Sequence, residues 1–263
     1  LDVLTPGKAA LITGSSHLQL TQSATPSHAK GLFGAYTDAV VPGQYTLEGG
    51  QISTGSVIRW FRDLAGGAYF GADMSRLGAA YEALEREATL LKPGSAGVMV
   101  LDYWQGARTP HVDADARGMI WGLSLGHGPA HVYRAIIEAV CFGTEEVFQT
   151  FAEQGHPVTD VVACGGAVNS ELWMQIHADV SNRAIAIPKV TEAVTLGAAV
   201  LATVPAGIYP DVTTAAKKMV SIARHVEPRG EVHEAYQFYF DTYRESYGAM
   251  HELMHRVVEH ENG

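Results

Sequence analysis

The sequence predicts an α/β fold: a mixed sheet flanked by helices, antiparallel where the chain enters it and parallel where it returns. Three observations carry this expectation. The strand-like runs before residue 50 follow one another across tight turns, as hairpins do. Those after residue 95 are separated by stretches with helical spacing. The third observation is the stretch from Val161 to Val180. An apolar run, Val161 to Cys164, meets Gly165 and Gly166, and then Leu172, Ile176 and Val180 recur at helical intervals. A strand, glycine turn and helix in series let the backbone approach an anion closely, because no Cβ intervenes and the helix start offers unpaired N–H groups. A plain turn fits the same residues.

Taken in order, Lys8 to Gly14 is a strand ending at Thr13-Gly14-Ser15-Ser16, and Leu18 to Ser23 alternates as a second strand. The small residues between them suit a hairpin turn first and a polyphosphate contact second. Ala24 to His28 is a polar loop. Gly31 to Asp38 and Tyr45 to Glu48 are strands joined by Pro42-Gly43. A second Gly/Ser/Thr-rich segment, Gly49 to Ser56, opens a helix over Val57 to Leu64, with Ser53 or Thr54 as its cap or a nucleotide as its neighbour. Periodicity predicts a helix from Met74 to Leu91, stopped by Lys92-Pro93-Gly94. Val98 to Asp102 is a strand, Tyr103 to Ala116 an irregular loop, and Gly118 to Leu125 a further strand broken by Gly126-His127-Gly128-Pro129. Pro129 suits the first turn of the long helix that runs to Gln154. After the central strand and helix come a short strand at Ile185 to Ile187 and a small-residue helix from Glu192 to Val204 suited to close packing. Ser221 to Glu227 is a loop or short strand, and a closing helix spans Val232 to His260.

An apolar fraction of 47% against 17% charged residues gives a core that can be buried in one domain spanning residues 1–263. A net charge of −10 argues against a general nucleic-acid or anionic-membrane binder. Cys141 and Cys164 sit in apolar surroundings and read as buried free thiols, which places the chain in a reducing cytoplasm. No run of about eighteen apolar residues is present, so no membrane span is expected. No signal peptide is visible, and the chain opens on Leu1 rather than Met, as a sequence beginning mid-protein would.

The run Gly118-Met119-Ile120-Trp121-Gly122-Leu123, then seven residues, then His131 to Glu138, resembles the second signature of the FGGY carbohydrate kinases. The segment from Cys164 to Val180 resembles the adenosine loop of that family, and Glu192 to Ala202 the helix that follows it. The order of all three is that of the family, and the likeness extends from Pro6 to about Tyr247. The resemblance implies a ribonuclease H-like, actin-like ATPase fold and the C-terminal domain of a sugar kinase. ATP would be the phosphoryl donor and Mg2+ would bridge its phosphates. The sugar-binding N-terminal domain and the general-base Asp would lie upstream, so no catalytic residue is expected in this chain. Gly14 and Ser15 resemble the loop at the β- and γ-phosphates, Gly55 and Arg59 the nucleotide contacts at a helix start, and Gly166 and Ala167 the adenosine loop. Ser170 stands where some members carry Asn. Arg59 and Ser170 depart from the glycerol-kinase pattern. Tyr45 to Phe61 and Tyr103 to Gly118 look more like the ribulokinase and pentulose-kinase branch than the glycerol branch, so a pentulose is the favoured substrate, with a hexulose or a polyol as the alternatives. His17 and Gln19 face either the sugar or solvent. A non-catalytic nucleotide- or partner-binding module of the same fold is the competing expectation. The amphipathic 232–260 helix has a surface for the N-terminal domain or for a second copy in a homodimer.

His251-Glu252-Leu253-Met254-His255 has the H-E-x-x-H spacing of zinc proteases. A catalytic zinc site needs a third protein ligand. The metzincin pattern would require glycine at Val258 and histidine at Glu261, and the sequence supplies neither. A solvated helix face is therefore the expectation, and His127 and His131 are expected to serve a turn and a helix start.

Overall fold

The computed structural model describes residues 1–70 and 77–263. Its principal sheet has seven strands in the order β3-β4-β2-β1-β7-β8-β9. These are β1 Lys8–Thr13, β2 His17–Ser23, β3 Phe33–Thr37, β4 Tyr45–Gln51, β7 Asp160–Gly165, β8 Ile185–Pro188 and β9 Ile222–Val226. The first four pair antiparallel. The β1–β7 and β7–β8 pairings are parallel, and β9 closes the edge antiparallel to β8. A separate two-stranded ribbon joins β5 Met99–Leu101 to β6 Met119–Trp121. The helices are α1 Gly55–Phe70, α2 Leu77–Thr89, α3 Pro129–Glu153, α4 Glu171–Ser181, α5 Ala193–Thr203, α6 Val212–Met219 and α7 Gly230–Asn262.

The central strand β1 is apolar on both faces, as a strand covered on both sides must be. Ala9 and Leu11 enter the principal core under α3, while Ala10 and Ile12 face a smaller cluster with Val162 and Ala186. On β2 the expected polarity is inverted. His17, Gln19 and Thr21 are fully buried or nearly so, and it is they that share the face of Leu11. Burying polar side chains requires partners. Gln19 Nε2 donates to Gln51 Oε1 at 3.3 Å and to Thr144 Oγ1 at 3.4 Å. The network continues from Gln51 Nε2 to Asp102 Oδ2 at 2.9 Å, and Tyr243 donates to Asp102 Oδ1 at 2.7 Å. Burial pushes the Asp102 carboxyl up to about 6 against those hydrogen bonds.

Other elements depart from expectation for local reasons. β4 runs on through Gly49 and Gly50, which read as loop. α3 crosses so closely that a Cβ on Gly49 would lie 2.5 Å from Val147 Cγ1. The 118–125 strand is only three residues long and joins β5, outside the main sheet. There Gly122 takes φ +81°, with its Cβ direction 2.1 Å from the Gly97 carbonyl oxygen. The Met74–Leu91 helix is found over Leu77–Thr89, and its first residues lie outside those described. α6 was not expected; Asp211 caps it by accepting from the Thr214 N–H at 2.7 Å. The small-residue helix α5 packs less closely than expected, since only Val200 of it is buried. The closing helix α7 turns Tyr236, Phe240, Tyr243, Met254 and Val258 inward. Both cysteines are free and buried. No described helix is long and apolar enough to cross a membrane.

Candidate functional site

Three short turns meet at one end of the sheet. β1 and β4 both pair antiparallel to β2, and β7 pairs parallel to β1, so all three run in one direction and the turns after them emerge together. The turn after β1 is Gly14-Ser15-Ser16, with the Gly14 N–H donating to the Ser16 carbonyl at 2.9 Å. The turn after β4 opens α1 and is bound to the first. Thr54 N–H donates to Ser15 O at 2.9 Å and Gly55 N–H to Gly14 O at 3.2 Å. The Ser56 hydroxyl adds a bond of 2.9 Å to Ser15 O. Only glycine fits at position 55, because a Cβ there would lie 2.3 Å from Gly14 O.

The third turn follows β7. Thr13 secures it: its hydroxyl donates to Cys164 O at 2.7 Å and accepts from the Ala167 N–H at 3.1 Å. Gly165 adopts φ +95°, and its missing Cβ faces the Thr13 carbonyl oxygen at 1.9 Å. Gly166 is exposed and has nothing within 4 Å of the Cβ position. Its bareness therefore leaves open space rather than relieving a contact within the protein. Ser170 caps α4 by accepting from the Trp173 N–H at 3.0 Å and donates to Glu85 Oε1 at 2.8 Å. That hydroxyl is already committed on both sides.

Gly14, Gly55, Gly166, Ala167 and Ser170 line one cleft of about 400 Å³. Sequence reasoning missed its other wall, which includes Tyr81 and Glu85 from α2, Tyr133 from α3 and Trp173 from α4. Helical periodicity marks these helices without saying which end overlies the turns. Ser15 turns to a neighbouring cleft of about 580 Å³, shared with Ser16, Gln51, Arg108 and Asp113. Arg59 is exposed just beyond the first turn of α1 and does not line the 400 Å³ cleft.

His17 does not face solvent but is fully buried. Its ring stands 5.6 Å from those of Trp173 and His177, and His17 and His177 are 0% and 2% exposed. Neither His17 nitrogen finds a hydrogen-bond partner among the described residues. Burial lowers His177 to about 3 and His17 well below the ordinary 6.5. Below pH 6.5 the unfolded chain binds protons that the fold excludes, so the stability present above that pH is lost as pH falls toward 3. The slope is up to about 1.4 kcal/mol per pH unit for each histidine. Replacing His177 by Gln removes one such term. The stability gap between wild type and variant, from urea midpoints, should shift by about 2 kcal/mol in the variant's favour between pH 6.5 and 5. A gap independent of pH would show that His177 is not held neutral.

His127 and His131 serve the structural roles expected of them. His127 Nδ1 accepts from the Ser124 N–H at 2.8 Å, and His131 Nδ1 from the Gly128 N–H at 3.1 Å at the start of α3. The glycine that opens the Gly118 to Glu138 signature also has a steric basis, since a Cβ on Gly118 would lie 2.4 Å from the Trp104 ring.

A family model described as the FGGY family of carbohydrate kinases, C-terminal domain, matches residues 9–206. The chain belongs to this family. Among curated relatives, it is 35% identical over 225 residues to a ribulokinase of Geobacillus thermodenitrificans, covering 83% of this chain and 40% of that protein. It is 30% identical over 252 residues to an FGGY carbohydrate kinase domain-containing protein of Xenopus laevis, covering 90% and 44% respectively. The structure resembles the xylulose kinase of Rhodospirillum rubrum with a TM-score of 0.84 and 26% identity, across 96% of this chain and 49% of that one. The fold is thus that of the FGGY sugar kinases, the actin-like ATPase fold. The chain spans less than half the length of these relatives.

Proposed function

We propose that this chain is the nucleotide-holding half of a sugar kinase that transfers the γ-phosphoryl group of ATP to a sugar hydroxyl. The observation that carries this reading is the convergence of three turns from parallel strands on a single cleft, with glycine or small residues at every close approach. Adenosine would lie across Gly166 and Ala167, in the cleft that Tyr81 and Tyr133 also line. Glu85 is placed to accept from a ribose hydroxyl or an amino group. The phosphates would extend toward Gly14 and Ser15, with Mg2+ arriving as part of the Mg·ATP substrate. Chemistry there is in-line transfer, favoured by positioning and charge neutralisation. The sugar and the Asp that accepts its proton belong to an N-terminal domain like the one expected upstream. Two of the relatives are a ribulokinase and a xylulose kinase, so a pentulose is the favoured acceptor.

Gly166→Trp tests the cleft directly. The open space at Gly166 lets the protein accept an indole, and that indole would occupy the adenosine position. Calorimetric titration with Mg·ADP should give saturable binding to wild type, and at least about a hundredfold weaker binding to a variant with an unchanged melting curve, a loss of about 2.7 kcal/mol. Equal affinity in the two proteins would overturn the site. In a protein containing both domains, pentulose-dependent ATP turnover separates a kinase from a non-catalytic nucleotide-binding module.

A further inference from the structure

Asp113 and a histidine pair that the sequence keeps far from it meet beside α7. His251 and His255 are one turn apart on the helix, so their rings project from the same side, with centroids separated by 4.2 Å. Asp113 reaches them from the irregular loop between β5 and β6. Its two oxygens are each 2.9 Å from His255 Nε2, and Oδ2 is 3.6 Å from His251 Nε2. One donor atom from each of the three residues lies within 4.8 Å of the other two. This is the third ligand that the H-E-x-x-H spacing lacked along the chain.

The carboxylate is held before any ligand arrives. Asp113 Oδ1 accepts from the N–H groups of Asp115 and Ala116 at 3.0 and 3.1 Å. Its Oδ2 accepts from the Tyr247 hydroxyl at 2.8 Å, and the Tyr247 ring is stacked on His111 at 3.8 Å. Asp113 is buried on that side, whereas the side chains of His251 and His255 are 46% and 31% exposed. The cluster is rigid on the protein side and open to water on the other. Outer hydrogen bonds of this kind orient ligands in metal sites.

We propose that Asp113, His251 and His255 form a binding site for one divalent transition-metal ion, with Zn2+ the best match to the donor set. Two imidazoles and one carboxylate suit Zn2+ and its first-row neighbours, whereas Mg2+ prefers oxygen donors throughout. Water would complete four-coordination. His255 Nε2 gives up its hydrogen bond to Asp113 and its lone pair turns to the metal. The bound ion ties α7 to the loop that carries Arg108 and borders the cleft beside Ser15 and Ser16. Its role is that of a clasp, and no hydrolysis is assigned to Glu252. The inference does not depend on the nucleotide site.

The test is a calorimetric titration of chelator-stripped protein with ZnCl2, with melting temperature followed in parallel. One ion should bind per chain and raise the melting temperature. Affinity should fall at least about tenfold in His251→Gln and in His255→Gln, equivalent to about 1.4 kcal/mol. It should be unchanged in the His127→Gln/His131→Gln double variant, which removes the other histidine pair. His251→Gln is the decisive variant, because His251 is half exposed and its replacement leaves the Asp113–His255 contact in place. Equal Zn2+ affinity in that variant and wild type would overturn the proposal and leave the cluster as a hydrogen-bonded clasp. So would the absence of saturable binding, or binding that follows His127 and His131.

Discussion

Arg134→Ala is expected to destabilise the fold by about 3–5 kcal/mol, because it leaves a buried carboxylate without its cation. Arg134 and Glu138 are 4% and 2% exposed, one turn apart on α3. The Arg134 Nε donates to Glu138 Oε1 at 2.8 Å, and its other nitrogens donate to Ala88 O at 3.1 Å and to the Tyr236 hydroxyl at 2.8 Å. Glu138 also accepts from Tyr236, from the Ser95 hydroxyl and from the Gly94 N–H. One ion pair therefore joins α2, α3, α7 and the turn before β5. Burial pushes the Glu138 carboxyl up, and Arg134 is the chief influence holding it down. Removing the guanidinium leaves the buried carboxylate with neutral donors only and no counter-ion. By contrast, Arg62→Ala removes a partner from the more exposed Arg62–Asp63 pair and should cost no more than about 1 kcal/mol. An Arg134→Met/Glu138→Gln double variant should recover part of the loss, because it buries no uncompensated charge. Urea midpoints on the four proteins decide the matter. A loss below about 1 kcal/mol for Arg134→Ala would mean that Glu138 takes up a proton at little cost.

This network was invisible in the sequence, for a physical reason. Arg134 and Glu138 at helical spacing look like an exposed pair on an amphipathic helix. Only the packing of α7 and α2 over α3 turns that face into the interior. The inversion of β2 has the same origin. Alternation marks two faces without saying which is covered, and Gln51 and Thr144 arrive from elsewhere in the chain to satisfy Gln19. By contrast, the glycine turns were legible, because a backbone conformation or close approach constrains the residue in place. Gly55, Gly122 and Gly165 each meet a carbonyl oxygen where a Cβ would be. Five of the expected site residues line one cleft. Tyr81, Glu85 and Tyr133 come from ordinary helical faces, and nothing local distinguishes them. Asp113 is the extreme case: a loop aspartate acquires its significance only when α7 brings His251 and His255 to it.

Two adjacent glycines allow the fold and the site to be separated by experiment. Gly165→Ala is expected to cost roughly 2–6 kcal/mol from two sources. One is its backbone conformation, φ +95° and ψ −163°, a region essentially confined to glycine and worth about 1–3 kcal/mol for any other residue. The other is overpacking, worth about 1–3 kcal/mol, since the new methyl would lie 1.9 Å from the Thr13 carbonyl oxygen. That carbonyl cannot retreat freely. Thr13 pairs in register with Gly165, and its hydroxyl also holds Cys164 and Ala167. Relief of the clash must open the β1–β7 pairing at the end where the turns converge. Gly166→Ala meets no atom within 4 Å and has no positive φ, so its stability should stay within about 0.5 kcal/mol of wild type. Gly165→Ala should therefore weaken folding and Mg·ADP binding together, whereas Gly166→Trp should weaken binding alone. If Gly165→Ala proves as stable as wild type in urea, the turn after β7 has another conformation. The close approach of its backbone to a nucleotide would then lose its structural basis.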